Sequence, residues 1–214
     1  MDFEVQNRQI FAKEVNKYAD SHYWRPDEDA VINRFCKHSK MLVIGCGGGR
    51  TLSHLKNFKL TAIDVVPEMV EVSKKKYPNI PIFVMDACDL KFDDNSFNCV
   101  FFPFNGINYI YPDIYKAIKE IKRVLNKDGV FIFSSHNRFY LKKLHKVHET
   151  YSSYQGLMTY KTSFVDLFRL RKLFDKVYMF GRTELWKQKS TFKDRLYSLF
   201  PFLDKYSYFV CIKH

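Results

Sequence analysis

Gly45-Cys46-Gly47-Gly48-Gly49, entered from the apolar run Met41-Leu42-Val43-Ile44 and left through Arg50-Thr51-Leu52, is the stretch whose residue types could do chemistry. Glycines 45, 47 and 49 stand two apart. Without a Cβ they reach positive φ cheaply and let the main chain come up against a ligand. The first N–H groups of a helix that follows would point at whatever occupies the turn. Nineteen positions after Gly45 a second apolar run, Lys59-Leu60-Thr61-Ala62-Ile63, ends on Asp64. That is the spacing at which a carboxylate grips a ribose hydroxyl pair in a βαβ unit. A glycine turn alone also serves as a plain strand-to-helix connection; paired with Asp64, it asks for a nucleotide-like guest.

Three more segments follow in order: Val84-Met85-Asp86-Ala87-Cys88-Asp89-Leu90, Asp93-Asp94-Asn95-Ser96-Phe97-Asn98-Cys99-Val100 and Val124-Leu125-Asn126-Lys127-Asp128-Gly129-Val130. With the glycine turn, and with Ile63-Asp64-Val65-Val66-Pro67-Glu68-Met69 as an acidic strand end before a Pro-initiated helix, they span roughly residues 40 to 137. The whole resembles the class I S-adenosylmethionine-dependent methyltransferases, whose turn is spaced G-x-G-x-G where dinucleotide binders have G-x-G-x-x-G. The resemblance implies that Gly45, Cys46, Gly47, Gly49, Asp64, Val65, Asp86 and Ala87 bind the cofactor, with Asp86 meeting the adenine amino group. One position departs from the family: Val43 stands where an Asp or Glu is common, and no role is carried onto it.

The chain has 214 residues, enough for one sizeable core and too few for two ordinary domains, and its 46% hydrophobic and 27% charged composition is that of a soluble globular protein. No apolar run approaches the roughly 20 residues that cross a bilayer, and the start, Met1-Asp2-Phe3-Glu4, lacks the pattern of a signal peptide, so a cytoplasmic chain is expected. Five scattered cysteines without a C-x-x-C pair argue for reduced thiols, against structural zinc and against a disulfide framework. The net charge of +12 is uneven: residues 138 to 214 hold 16 Lys and Arg against 6 Asp and Glu, the rest 19 against 17. Such a basic third could face nucleic acid, an anionic surface or an anionic small molecule, or could be a solvated face.

The elements that must position these residues alternate. Strands are expected at 41 to 45, 59 to 64, 81 to 85, 98 to 103 and 129 to 135, with helices at about 49 to 57, 67 to 76 and 112 to 125. Two further alternating runs, 174 to 180 and 206 to 213, suit the antiparallel last strands of the family. The expected fold is α/β: a doubly wound, mostly parallel seven-stranded sheet with an antiparallel last strand and helices on both faces. It is read as a single domain, with residues 1 to 39 a helical lid, 40 to 137 the cofactor core and 138 to 214 a basic substrate-side part. Residues 3 to 19 and 27 to 37 are expected as helices, with Asp27 a cap or N-terminal charge. Residues 137 to 155 are read as mostly helical, Gly156 to Tyr160 as extended, and Ser163 with Asp166 as a capping box.

Methyl transfer from a sulfonium needs an acceptor held in line and, for a hydroxyl, a base. Asn105 and Tyr109, after the fourth strand, would border the methyl group; as alternatives they are a turn amide and a core-edge ring. His136, at the end of the fifth strand, is a base candidate, with His22 second; each could equally be a structural side chain. Tyr23 and Trp24, with Tyr18 and Arg25, are candidate substrate-side lid residues or aromatics packed on the core edge. The segment Phe102-Pro103-Phe104-Asn105 is not the motif of amino-methylating DNA enzymes. The leading expectation is O- or N-methylation of a small, glycosyl-bearing or anionic acceptor. An RNA methyltransferase using the basic third and a silent adenosylmethionine-binding module remain open beside it.

Overall fold

The computed structural model describes residues 3–21, 23–37, 40–110, 114–136, 148–153, 156–161, 166–181, 185 and 206–214. Its spine is a run of parallel strands: β1 (Lys40–Ile44), β2 (Lys59–Asp64), β3 (Ile82–Val84), β4 (Phe97–Phe102) and β5 (Leu125–His136). After a two-stranded antiparallel hairpin, β6 (His148–Ser153) and β7 (Gly156–Lys161), come β8 (Lys176–Gly181) and β9 (Tyr206–Ile212). The sheet order is β3-β2-β1-β4-β5-β9-β8, with β9 inserted antiparallel between β5 and β8. β1 pairs with β2 on one side and β4 on the other, Met41 lying opposite Leu60 and Cys99.

Being covered on both faces, the central strands read as continuous apolar runs. Alternate residues serve the two faces. Leu42, Ile44, Val100, Phe102, Phe131 and Phe133 pack with α5 (Ile114–Val124) and α6 (Asp166–Leu173). Met41, Val43, Ala62, Cys99, Phe101 and Ile132 pack on the opposite side, where α3 (Pro26–Phe35) and α4 (Pro67–Lys76) lie. α5 shows why a helix forms: Ile114, Ala117, Ile118 and Ile121 recur at helical spacing and all are buried. Val43 is fully buried in the second cluster, so an apolar side chain there belongs to the core.

Three expectations are corrected. Residues 49 to 57 form turns and one short 3₁₀ helix, Leu52–His54, because every backbone bond from Gly49 to Phe58 runs from an N–H to the carbonyl three residues back. Gly49, Thr51, Ser53, His54 and Asn57, five of these nine residues, are weak helix formers. Of the expected 137-to-155 helix, residues 148–153 are strand β6 and 137–147 lie outside the described residues, as does Ser163. Cys36 and Cys99 form a disulfide, their Cα atoms 6.3 Å apart where the end of α3 meets β4. Cys46, Cys88 and Cys211 are free and buried.

α1 (Phe3–Lys13) and α2 (Val15–Ala19) precede α3. α1 runs beside β7, and β7 beside the 3₁₀ turn Gly106–Tyr109, so helix and hairpin stand together past the carboxyl ends of β4 and β5. Among the described residues no helix is long and apolar enough to cross a membrane.

Candidate active site

A cavity of about 690 Å³ opens at the carboxyl ends of β1, β2, β4 and β5, where ligands bind in open α/β sheets. Ile44, Gly45, Cys46, Gly47 and Gly48 form its floor. Gly45, Gly47 and Gly49 have φ of +65°, +53° and +84°, the region glycine enters without penalty. Their surroundings differ. A Cβ on Gly47 would meet nothing within 4 Å, so this backbone faces open space. One on Gly49 would strike the Tyr77 ring and approach Ser73; Gly49 is a packing glycine against α4 and does not line the cavity.

Asp64 ends β2 beside the turn. Its Oδ2 accepts the Gly47 N–H at 2.7 Å and its Oδ1 the Val66 N–H at 3.0 Å. Burial raises its pKa above the ordinary carboxylate value, and the N–H groups of Val66, Gly47 and Val65 pull it partly back. Asp64 thus holds the turn in shape, a task in addition to the ribose contact expected of it. Burial, and then Asp64, push the Cys46 thiol far up, which leaves it neutral.

Val65, Asp86 and Ala87 line the adjoining wall. Asp86 accepts the Cys88 N–H through Oδ1 at 2.8 Å, while Oδ2 pairs with Arg8 of α1 at 2.6 Å. The N-terminal helices therefore reach the cavity themselves: Asn7, Arg8, Phe11, Lys17 and Tyr18 line it. Phe11 stands edge-on to both Tyr18 and Tyr109, with ring centroids at 5.6 and 5.3 Å. α2 seats directly on Gly48, where a Cβ would come within 2.5 Å of the Tyr18 carbonyl oxygen. Lys76 of α4 donates to the Ala19 carbonyl at the end of the same helix.

A buried ion network backs this wall. The Arg25 guanidinium donates to both Asp27 oxygens, at 3.2 and 2.6 Å, and Tyr208 of β9 donates its hydroxyl to Asp27 Oδ2 at 2.7 Å. Glu28 accepts two bonds from Arg50, which also reaches the Tyr23 carbonyl and lies 5.0 Å from the Phe104 ring centre. Burial alone would lower the Arg25 pKa; the Asp27 and Glu28 carboxylates outweigh it and hold the guanidinium firmly charged. Burial and the Asp27 carboxylate raise the Tyr208 phenol well above its usual value. Asp27 is fully buried, so it serves as the counter-ion of this network more than as a helix cap.

The far wall follows β4. Phe104 and Asn105 both have left-handed backbone, φ +55° and +58°, which costs on the order of 1–3 kcal/mol at each non-glycine position. The loop is fixed by Asn105 N–H to Ser134 Oγ at 2.8 Å, Gly106 N–H to the Pro103 carbonyl and Asn108 N–H to the Asn105 carbonyl. Asn105 is buried and lines the cavity, and its Oδ1 has no hydrogen-bond partner among the described residues. An unmet acceptor of this kind costs about 1–3 kcal/mol. Tyr109 and His136 line the same region, and the His136 N–H donates to Asn108 Oδ1 at 2.9 Å.

Of the residues expected at a site, the cavity brings together Gly45, Cys46, Gly47, Asp64, Val65, Asp86, Ala87, Asn105, Tyr109 and His136. Tyr23 and Trp24 stand apart from it. Trp24 packs against the second core cluster and stacks on His54, with ring centroids 5.0 Å apart, and Tyr23 is 56% exposed. Trp24 thus packs on the core edge, and Tyr23 does neither: it is exposed and does not line the cavity. His22 lies outside the described residues. Sequence reasoning missed Asn7, Arg8, Phe11, Arg50 and Thr51; the helical spacing of Asn7, Phe11 and Tyr18 was the available signal for three lid positions. Thr51 also has a buried hydroxyl without a partner among the described residues.

The methyltransferase-domain family model matches residues 42–133. An uncharacterized protein of Methanocaldococcus jannaschii is 33% identical over 132 residues, 61% of this chain and 51% of that protein. A demethylmenaquinone methyltransferase of Staphylococcus epidermidis is 30% identical over 178 residues, 79% of this chain and 66% of that one. The chain spans between 36% and 66% of the lengths of the curated relatives it matches. A Thermotoga maritima structure described as a SAM-dependent methyltransferase and possible histamine N-methyltransferase superposes with a TM-score of 0.65 at 20% identity, covering 96% of this chain and 99% of that one; it shares the fold. The matched domain, the strand order with β9 inserted antiparallel, and the glycine turn tied to Asp64 establish that this chain belongs to the class I, Rossmann-like S-adenosylmethionine-dependent methyltransferases.

Proposed function

We propose that the chain transfers the methyl group of S-adenosylmethionine to a nitrogen or oxygen atom of a small acceptor. The observation that carries this reading is the Gly47 turn, whose backbone faces open cavity while Asp64 holds its N–H. A cradle that a single Cβ would fill, beside a buried carboxylate, fits an adenosyl ligand. Gly45, Cys46 and Gly47 would hold its amino-acid end, Asp64 and Val65 the ribose, and Asp86 and Ala87 the adenine. When bound, the cofactor supplies a methyl group on an already activated sulfonium, so no covalent nucleophile is required of the protein.

What the chain's own residues contribute is position and exclusion of water. α1 and α2 cover the crevice, with Gly48 as the seat of α2 and the Phe11, Tyr18 and Tyr109 rings as an apolar side. Asn105 and His136, at the ends of β4 and β5, border the reacting end, His136 as the group that would take a proton from a hydroxyl acceptor. A single domain with a small-molecule acceptor accords with a cavity of this size, which lies in the range of small-ligand pockets.

The test is a screen for S-adenosylhomocysteine release with purified protein against amines, alcohols, glycans and tRNA. Methylation of a small molecule is the expected result. Methyl incorporation into tRNA alone, with binding that collapses by roughly 10³–10⁵ between 50 and 200 mM salt as many phosphate contacts demand, would replace this reading by the RNA one.

A further inference from the structure

The methyltransferase reading leaves the acceptor atom open, and one buried group bears on it. Asn105 is 6% exposed, lines the cavity, and carries an Oδ1 with no hydrogen-bond partner among the described residues. Its backbone is held left-handed, next to a left-handed Phe104, by bonds from Asn105 N–H to Ser134 Oγ and from Asn108 N–H to the Asn105 carbonyl. An unmet acceptor at the wall of the cavity is a cost that a bound hydrogen-bond donor would repay.

We propose that Asn105 Oδ1 accepts an N–H of the substrate, and that the methyl acceptor is a primary or secondary amine. This rests on the methyltransferase reading above. An amide oxygen can accept a hydrogen bond but takes no proton at neutral pH, so it orients a nucleophile without serving as its base. An amine that has given up its extra proton to water before the attack needs no more. With its N–H held on Oδ1, the nitrogen lone pair forms the N–C bond as the S–C bond breaks and that electron pair goes to sulfur. Positive charge passes from the sulfonium to the new ammonium, which then loses one N–H proton to water. An alcohol must lose its proton as its oxygen attacks, which Oδ1 cannot take, so an alcohol would need His136 as well, whereas an amine needs Asn105 alone.

Two variants separate the oxygen from the backbone it sits on. Asn105→Gly keeps φ +58° at no steric cost and removes the oxygen, whereas Asn105→Asp keeps an acceptor oxygen on a residue that tolerates the same backbone. The probes are matched pairs: phenethylamine and phenethyl alcohol, aminoethyl phosphate and hydroxyethyl phosphate, glucosamine and glucose. Turnover is followed by mass spectrometry of the methylated product, and probe binding by calorimetry on protein loaded with S-adenosylhomocysteine. The expected result is methylation of at least one amine and not of its alcohol, with the amine also binding the loaded protein more tightly. Asn105→Gly should lower kcat on that amine by about 10²-fold with cofactor affinity unchanged, and Asn105→Asp should retain most of it. Methylation of an alcohol as fast as of its amine, no methylation of any amine by cofactor-bound protein, or a near-normal kcat for Asn105→Gly overturns the proposal. Failure of the wild-type protein to bind S-adenosylhomocysteine at all is a different result, which brings down the methyltransferase reading and this proposal with it.

Discussion

At Gly47 the two costs of adding a side chain come apart. A Cβ would touch nothing in the protein, so Gly47→Val pays mainly for its φ of +53°, on the order of 1–2 kcal/mol. The same side chain would stand in the ligand's path. Thermal melting should therefore show a folded protein of slightly lowered Tm, while calorimetry shows no binding of S-adenosylmethionine; normal binding would mean that this turn is not the cradle. Asp64→Ala should act differently. It removes the acceptor of two N–H groups in addition to a ligand contact, and losing one charge-assisted hydrogen-bonding group is worth about 1.5–3 kcal/mol, so the Kd should rise by roughly 10- to 150-fold. An unchanged Kd in a folded variant contradicts the assignment. The spacing of these two residues was legible in the sequence, because glycine and acid at a fixed interval are a local signal. That Asp64 also holds the Gly47 N–H was not, since it depends on how the turn folds back over β2.

Elements carried less information than residues wherever their partners lay far along the chain. The expected helix after the glycine turn rested on the usual strand-turn-helix order, and the local chemistry of Gly48 to His54 overrode it with 3₁₀-type bonds. Asp27 reads in sequence as a charge at the start of α3. In the fold it meets Tyr208, 181 residues away, and Arg25, in a fully buried network no local pattern reveals. Removing one partner of a buried pair leaves the other charge uncompensated, so Asp27→Ala should lower unfolding free energy by about 3–5 kcal/mol in urea titration. Glu71→Ala, which breaks the exposed Glu71–Lys75 pair on α4, should leave the midpoint where it was. Equal effects of the two substitutions would contradict the view that the α3 network anchors the wall behind the lid.

For the whole molecule, the alternation of apolar runs between residues 41 and 136 was enough to read a doubly wound sheet, since parallel strands joined by helices have few ways to pair. The antiparallel place of β9 came from the family resemblance and agrees with the observed pairing of Val130 to His136 with Ile212 to Tyr206. The Cys36–Cys99 disulfide was invisible to spacing, because it joins a helix end to a central strand 63 residues away. The basic stretch after residue 137 gave a charge balance and no more, and much of it lies outside the described residues. The central claim, that the cavity over Gly45, Gly47, Asp64 and Asp86 is an adenosyl site serving methyl transfer, is tested most directly by calorimetric titration of the wild-type protein with S-adenosylmethionine, S-adenosylhomocysteine and NAD. The account predicts one-to-one binding of the first two and none of NAD; binding of NAD as tight as or tighter than S-adenosylmethionine, or no binding of S-adenosylmethionine, would contradict it.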